Sequence, residues 1–172
     1  DPDSTSFAKL WAFYALRMDS HGLMNWQGPN DCTGNNGQNA ATDGDLDAAI
    51  ALIRAHRRWP AEGWGAKATT LLNNIYTNMV DGCSGLKNGD TWGGCSSGAT
   101  NAYNPSYFRT AYMASFNCFE GSNRWTAVAN RSYSLMNTAY SSYALPPDWV
   151  RNDGTWGQAT NSGGYGYDSC RS

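Results

Sequence analysis

Aspartates with aromatic and basic neighbours are the residues best suited to chemistry in this sequence. Asp43, Asp45 and Asp47 fall within one turn at the start of a segment with helical periodicity. Much farther along the chain, Asp168 lies three residues before Arg171, among tyrosines and glycines. An arginine one turn away keeps a carboxylate ionised and oriented, and a general base needs that state. Acid–base chemistry is therefore one hypothesis for these residues, and a local salt bridge is the alternative for the second pair.

The aspartate cluster has two further interpretations. Acidic residues in the first turn interact favourably with the helix dipole, and Thr42 is a typical N-cap residue, so a structural role is one of them. A calcium loop of the EF-hand type is the other, but Ala48 and Arg54 stand where that loop requires Gly and Glu. The structural role and a substrate-facing role both remain open. The sequence predicts neither a metal ion nor a cofactor.

Aromatic side chains in polar surroundings are the second unusual feature. The chain has eight Trp and ten Tyr, and several of them, including Trp26 and Trp92, lie beside Gly, Asn or Asp. Flat indole faces can stack on the C–H faces of sugars, or they can fill a loop-rich core. Tyr107 could offer its hydroxyl to a sugar or a water, or pack inward at a helix start. Asp90, close to Trp92, is a further candidate for contact with a substrate.

The elements that position these residues are predicted to be helices. Apolar residues recur with helical spacing in five segments. The second begins at Thr42, and the fourth opens at Asn104-Pro105, a good cap followed by proline in the first helical position. Long loops over residues 19–41, 81–103 and 144–168 separate the helices, and no segment has a long strand period. The sequence predicts one all-α domain over residues 1–172, built from helical hairpins with aromatic-rich loops at one end.

Composition and charge argue against some classes of function. Net charge is −2, from 12 Lys+Arg against 14 Asp+Glu, and no basic stripe exists, so nucleic acid is not an expected partner. No apolar run approaches the roughly 20 residues that span a bilayer, so no membrane association is expected. Cys83 and Cys95 bracket a Gly-rich segment that can fold back on itself. A disulfide there would indicate an oxidising compartment, and we expect a secreted, extracellular protein.

Four motifs in order along the chain resemble glycoside hydrolase family 8. The longest, ATDGDLDAAIALIRAHRRW over residues 41–59, is similar to the signature of that family. Upstream, GLMNW over residues 22–26 resembles the family's loop with a sugar-stacking Trp. Downstream, NPSYF over 104–108 and YDSCR over 167–171 follow in the family's order and at similar spacings. The resemblance spans nearly the whole chain.

The resemblance implies part of an (α/α)6 barrel that hydrolyses internal β-1,4 bonds of a polysaccharide with inversion. It makes Asp168 the general base that activates water, and Arg171 the partner of that base. Tyr107 would help to position the water. Asp43 would hold the distorted sugar at the cleavage point, with Asp45 as a neighbour in the same cluster.

Trp26 and Trp92 would stack on flanking sugars in a long cleft. Because an Asp rather than an inserted Glu occupies the base position, the resemblance favours an endoglucanase (cellulase) first and a xylanase second. Chitosanase is a further alternative within the family.

The resemblance fails at the general acid. The family carries this Glu in a Glu-Gly motif upstream of the signature, whereas Glu62-Gly63 lies downstream of it. We therefore expect the acid, and the remaining segments of the barrel, to lie outside these 172 residues, on the same chain or on a separate one. On that basis we do not expect this chain to be active alone. The competing hypotheses are a non-catalytic glycan-binding module and a helical fragment that is stable only with partner chains.

Overall fold

A computed structural model describes residues 4–30, 33–34, 37–96, 102–142, 145–157, 164–166 and 168–171. Extended backbone among them is limited to isolated antiparallel bridges. None of the described helices has the length and apolarity needed to cross a membrane. The helices are α1 (Ser4–Ala15), α2 (Thr42–Arg58), α3 (Trp64–Met79), α4 (Thr110–Glu120) and α5 (Arg124–Ser142), with one-turn 3-10 helices at Pro60–Glu62, Pro105–Tyr107 and Ser169–Arg171.

The α2–α3 hairpin forms the centre of the core. Each helix buries a stripe of apolar side chains at three- and four-residue spacing, and the two stripes face each other. The short connection Pro60–Glu62 keeps the two helices adjacent and antiparallel. The stripes comprise Leu46, Ala49, Ile50 and Ile53 of α2, and Ala68, Leu71, Leu72 and Ile75 of α3.

The α4–α5 hairpin packs against α2 and extends the same core. Phe116 and Trp125 are fully buried, with ring centroids 5.1 Å apart. The indole of Trp125 also donates to Glu120 at 2.9 Å, so the tight turn at Gly121 is fixed by both packing and hydrogen bonding. A smaller cluster around Tyr103, Leu135 and Val150 lies beneath the loops.

The predicted start of the second helix at Thr42 is confirmed, but the predicted start of the fourth helix and the predicted capping role of Thr42 are wrong. Asn104 does act as a cap, since its side chain accepts from Ser106 N–H, but it caps a single 3-10 turn, and α4 begins only at Thr110. Phe108 and Arg109 take non-helical backbone angles between the two elements. Thr42 is not the cap of α2, because its hydroxyl donates to the Lys87 carbonyl at 2.7 Å instead.

The predicted disulfide between Cys83 and Cys95 is confirmed. The carboxylate of Asp81 supports the loop that it closes, accepting from the backbone N–H of Cys83, Gly85 and Cys95 at 2.8–2.9 Å. The hydroxyl of Tyr103 donates to the same carboxylate at 2.8 Å. The residues 81–96 therefore form an ordered platform above the α2–α3 hairpin.

Candidate functional site

A groove of about 400 Å³ lies where three loops meet the first turn of α2. Two tryptophans and a tyrosine form its walls, and a backbone segment forms its floor. Three of the residues that the sequence singled out are thereby brought together. The lining residues are Trp26, Asn39, Ala41, Trp92 and Tyr107.

The first indole wall is Trp26, with 55% of the residue exposed. Its backbone N–H donates to the Asn39 carbonyl at 3.0 Å, and Asn25 bridges to Ala40. The ring lies so close to Gly37 that an added Cβ there would stand 2.4 Å from the indole nitrogen. Glycine at this position therefore lets the indole lie against the backbone while much of the residue stays available for contact.

The second indole wall is Trp92, supported from two sides. Its ring centroid lies 6.3 Å from that of Trp149, and the two rings are tilted. On the other side it crosses Gly89, where a Cβ would stand 2.3 Å from the indole nitrogen and 2.2 Å from the Ala40 carbonyl. Gly89 in turn bridges to Ala41 at the groove floor. The ring is consequently held by packing, as a preformed binding surface requires.

Asn88 connects the groove walls to α2, and the sequence analysis missed it. Its carbonyl accepts from Thr42 N–H at 3.0 Å, at the first residue of α2. Its side chain donates to the Ala102 carbonyl at 2.9 Å and accepts from Asn104 N–H at 2.7 Å. The residue is 1% exposed, so all of these bonds are protected from water. The turn with Tyr107 is therefore tied to the same buried amide as the start of α2.

Tyr107 ends one 3-10 turn, and Asp168 immediately precedes a neighbouring one. The turn Pro105–Tyr107 contacts both α2 and the turn Ser169–Arg171. Asp168 immediately precedes the latter turn and is half-buried. Ser169 N–H donates to the Asp148 carboxylate at 2.6 Å, which anchors the turn to the preceding loop. The side chain of Arg171 lies outside the described part of the structure, so its pairing with Asp168 stays a prediction.

Asp43 is in the first turn of α2, two residues after the groove floor at Ala41. It is half-buried, and its carboxylate accepts from Gly44 N–H at 3.0 Å. The elements that carry Asp43, Tyr107 and Asp168 are thus in contact at one end of the helices. Their catalytic roles remain predictions.

Asp45 differs from Asp43 in being buried, with 1% of the residue exposed. One carboxylate oxygen accepts from the Tyr14 hydroxyl and, at 3.1 Å, from Met24 N–H. Burial raises the pKa of Asp45 to about 7. Direct contact with a substrate, as predicted for Asp45, would need access that this arrangement does not provide, so the geometry favours a structural role.

Asp90 is also buried, contrary to the suggestion that it touches a substrate. Its side chain is 1% exposed and pairs with His21 at 2.8 Å between Nδ1 and Oδ2. The other oxygen accepts from Ala40 N–H at 2.9 Å. Burial by itself raises the pKa of Asp90, but the hydrogen bonds from His21 and Ala40 outweigh it and hold that pKa below its ordinary value.

The helical hairpins and the groove together define a class of protein. Helical hairpins carry loops at one end, and those loops form an open groove with indole walls and with carboxylate-bearing elements at its edge. Such a groove suits an extended, hydroxyl-rich ligand with apolar faces.

The family model for glycosyl hydrolases family 8 matches residues 2–171, and the chain belongs to this family. Endoglucanase C of Ruminiclostridium cellulolyticum is 37% identical over 156 residues, covering 87% of this chain and 33% of that protein. Endoglucanase A of Acetivibrio thermocellus is 35% identical over 175 residues, covering 96% of this chain and 35% of that protein. The chain spans about a third of the length of these curated relatives.

Solved structures with a similar fold also match this chain. A β-1,3-1,4-glucanase from Paenibacillus sp. X4 superposes with a TM-score of 0.80 at 27% identity, covering 94% of this chain and 47% of that one. A reducing-end-xylose releasing exo-oligoxylanase has a TM-score of 0.79 at 22% identity, over 96% of this chain and 48% of that one, which shows the fold alone. These neighbours are (α/α)6 barrels, so the prediction that the helices form part of such a barrel is confirmed.

Proposed function

We propose that this chain is the part of an inverting endo-β-1,4-glucanase that carries the general base and much of the substrate groove. Asp168 activates the attacking water, Tyr107 orients it, and Asp43 holds the sugar at the cleavage point. Trp26 and Trp92 stack on sugars of the bound glucan chain. The remaining helices and the general acid are supplied from outside these residues.

The groove is the observation that supports this proposal most strongly. Two indoles from different loops and one phenol line a single open channel of about 400 Å³. Stacking on both indoles suits a chain of pyranose rings better than it suits a compact ligand.

The chemistry requires two carboxyl groups. Inversion places a protonated acid on the leaving oxygen and a base about 6.5–9.5 Å away, with water between the base and the sugar. The turn that follows Asp168 contacts the turn of Tyr107, so the two residues lie on adjoining segments, as the proposed roles require. Glu62 is hydrogen-bonded to the Trp64 indole at the α2–α3 connection, a structural position that supports an acid from elsewhere.

Exposed apolar side chains in and next to α1 support the proposal that further helices pack against this chain. Leu10 of α1 and Leu16, which follows the end of α1, are 69% and 83% exposed, and Phe13 of α1 is also exposed. Several exposed large apolar side chains within one segment are typical of an interface. We propose that the remaining helices of the barrel cover these side chains, whether on the same chain or another.

A β-1,4-glucan is the favoured substrate because the curated relatives described above are endoglucanases. Xylan and chitosan are the alternatives within the family. We also propose an extracellular location, supported by the disulfide at Cys83 and Cys95, since disulfides persist in oxidising compartments.

The test is hydrolysis of cellohexaose and carboxymethylcellulose by the assembled barrel. Asp168→Asn should lower kcat by about 10²- to 10⁴-fold, the usual contribution of acid–base catalysis, with little change in KM. ¹H NMR of the first product should show the α-anomer, as expected for inversion of a β bond.

Asp153→Asn is the matched control, because it removes the same charge from an exposed loop carboxylate. An amide oxygen there can still accept from Thr155. An active Asp168→Asn variant would exclude Asp168 as the base. Tight binding of cello-oligosaccharides with no release of reducing sugar by the wild type would instead support the non-catalytic binding module.

A further inference from the structure

We propose that Asp90 is a positioning residue that fixes the separation of the two indole walls of the groove. This inference rests on the proposed function, since it assigns a role in binding the glucan chain. The two indoles lie on different loops, and Asp90 is the buried charged group that joins those loops.

One set of bonds runs from Asp90 towards Trp26. Oδ1 of Asp90 accepts from Ala40 N–H at 2.9 Å, and Ala40 stands between the lining residues Asn39 and Ala41. Trp26 N–H donates to the Asn39 carbonyl at 3.0 Å. The backbone that carries the first indole is therefore two hydrogen bonds away from the carboxylate.

A second set of bonds holds the loop that carries Trp92 and orients the Asp90 carboxylate. Asp90 precedes Trp92 by two residues, and the Lys87 ammonium donates to the Asp90 carbonyl. Oδ2 of Asp90 meets His21 Nδ1 at 2.8 Å, and His21 Nδ1 lies 3.7 Å from Asp19. Asp19 holds the His21 turn by accepting from His21 N–H at 2.8 Å.

Because the Asp90 carboxylate is buried, its hydrogen bonds can hold the two groove loops at a fixed separation. With its side chain 1% exposed, the carboxylate cannot exchange its partners for water without a large cost. The two loops are consequently held in one arrangement by polar bonds of fixed length. Loss of the carboxylate should let the loops shift, and a stacked polymer would lose contact on one indole.

The test compares kcat and KM for cellohexaose in the assembled barrel. Asp90→Ala should raise KM about tenfold, equivalent to about 1.4 kcal/mol, while kcat stays within about twofold. Asp90→Asn should restore most of the affinity, because an amide oxygen can accept from Ala40 N–H and the amide group can donate to an unprotonated His21 nitrogen.

Glu120→Ala is the matched control for lost stability. Glu120 also holds several hydrogen bonds, to Arg124 and Trp125, but at the α4–α5 turn and not at the groove. It should lower Tm without raising KM. If Asp90→Ala does not fold, His21→Ala, at a side chain that is 40% exposed, should raise KM in the same direction but by less.

The outcomes separate the two proposals. A wild type that binds and cleaves cellohexaose, with an Asp90→Ala variant of unchanged KM, overturns the role of Asp90 alone. A fall in kcat with unchanged KM also overturns it. A wild type that neither binds nor cleaves overturns the proposed function and this role together.

Discussion

Replacing Asp45 by asparagine should make the fold more stable at and above neutral pH. The carboxylate is buried, and one of its oxygens has no hydrogen-bond partner among the described residues. The other accepts from Tyr14 and Met24. Burial raises the pKa of Asp45 to about 7, so the fold prefers the neutral carboxyl. Asparagine has nearly the same shape and cannot ionise.

The magnitude follows from the change in pKa. A rise from 3.8 to about 7 is roughly three units, equivalent to about 4 kcal/mol. The folded state binds the proton more tightly than the unfolded state. The contribution of the Asp45 carboxyl to the free energy of unfolding is therefore complete below pH 3.8. It falls as the pH rises from 3.8 to about 7, and it changes no further above the folded pKa.

The assay is urea unfolding of the assembled barrel at several pH values between about 4 and 8. The difference in unfolding free energy between Asp45→Asn and wild type should grow by up to about 4 kcal/mol across this range. Asp47→Asn, at an exposed carboxylate of the same helix turn, controls for the loss of one charge. Parallel pH profiles for Asp45→Asn and wild type would show that the carboxyl is not held neutral.

Two other expectations concern the groove and the platform beside it. Trp26→Ala should weaken binding of cellohexaose roughly tenfold, since a sugar covering about 60 Å² of indole contributes about 1.5 kcal/mol. Trp26→Phe should lose less affinity. Equal affinity of the wild type and both variants by calorimetry would exclude stacking on Trp26. Cys83→Ser with Cys95→Ser should lower the unfolding free energy by up to about 3 kcal/mol in thermal melts, because the closed loop is short and Asp81 still holds its backbone. An unchanged Tm with and without reductant would contradict this.

Helices were predictable from the sequence because apolar periodicity over 10 or more residues reports burial directly. The start of α4 was not, since Asn104-Pro105 is a correct capping signal for a 3-10 turn as well as for an α-helix. The long-range bond from Asn104 N–H to Asn88, which holds the turn, joins residues that the local pattern does not relate.

The site was predictable to the extent that it consists of side chains typical of sugar binding. Trp26, Trp92 and Tyr107 do line one groove. Asn88 was missed because Asn-Gly reads as an ordinary turn, and its bonds to Ala102 and Asn104 join residues 14 and 16 positions away. Asp45 was predicted to contact the substrate, and Asp90 was considered a candidate, because spacing cannot distinguish a buried aspartate from an exposed one.

Main-chain atoms form most of the links between the groove loops and α2. The bond from Thr42 N–H to the Asn88 carbonyl and the bridge between Ala41 and Gly89 depend little on which side chains face the groove. Lining residues can therefore be exchanged without releasing the frame that supports them. One scaffold can then diversify its specificity through a few surface substitutions, in keeping with a glucanase and an oligoxylanase that share this fold.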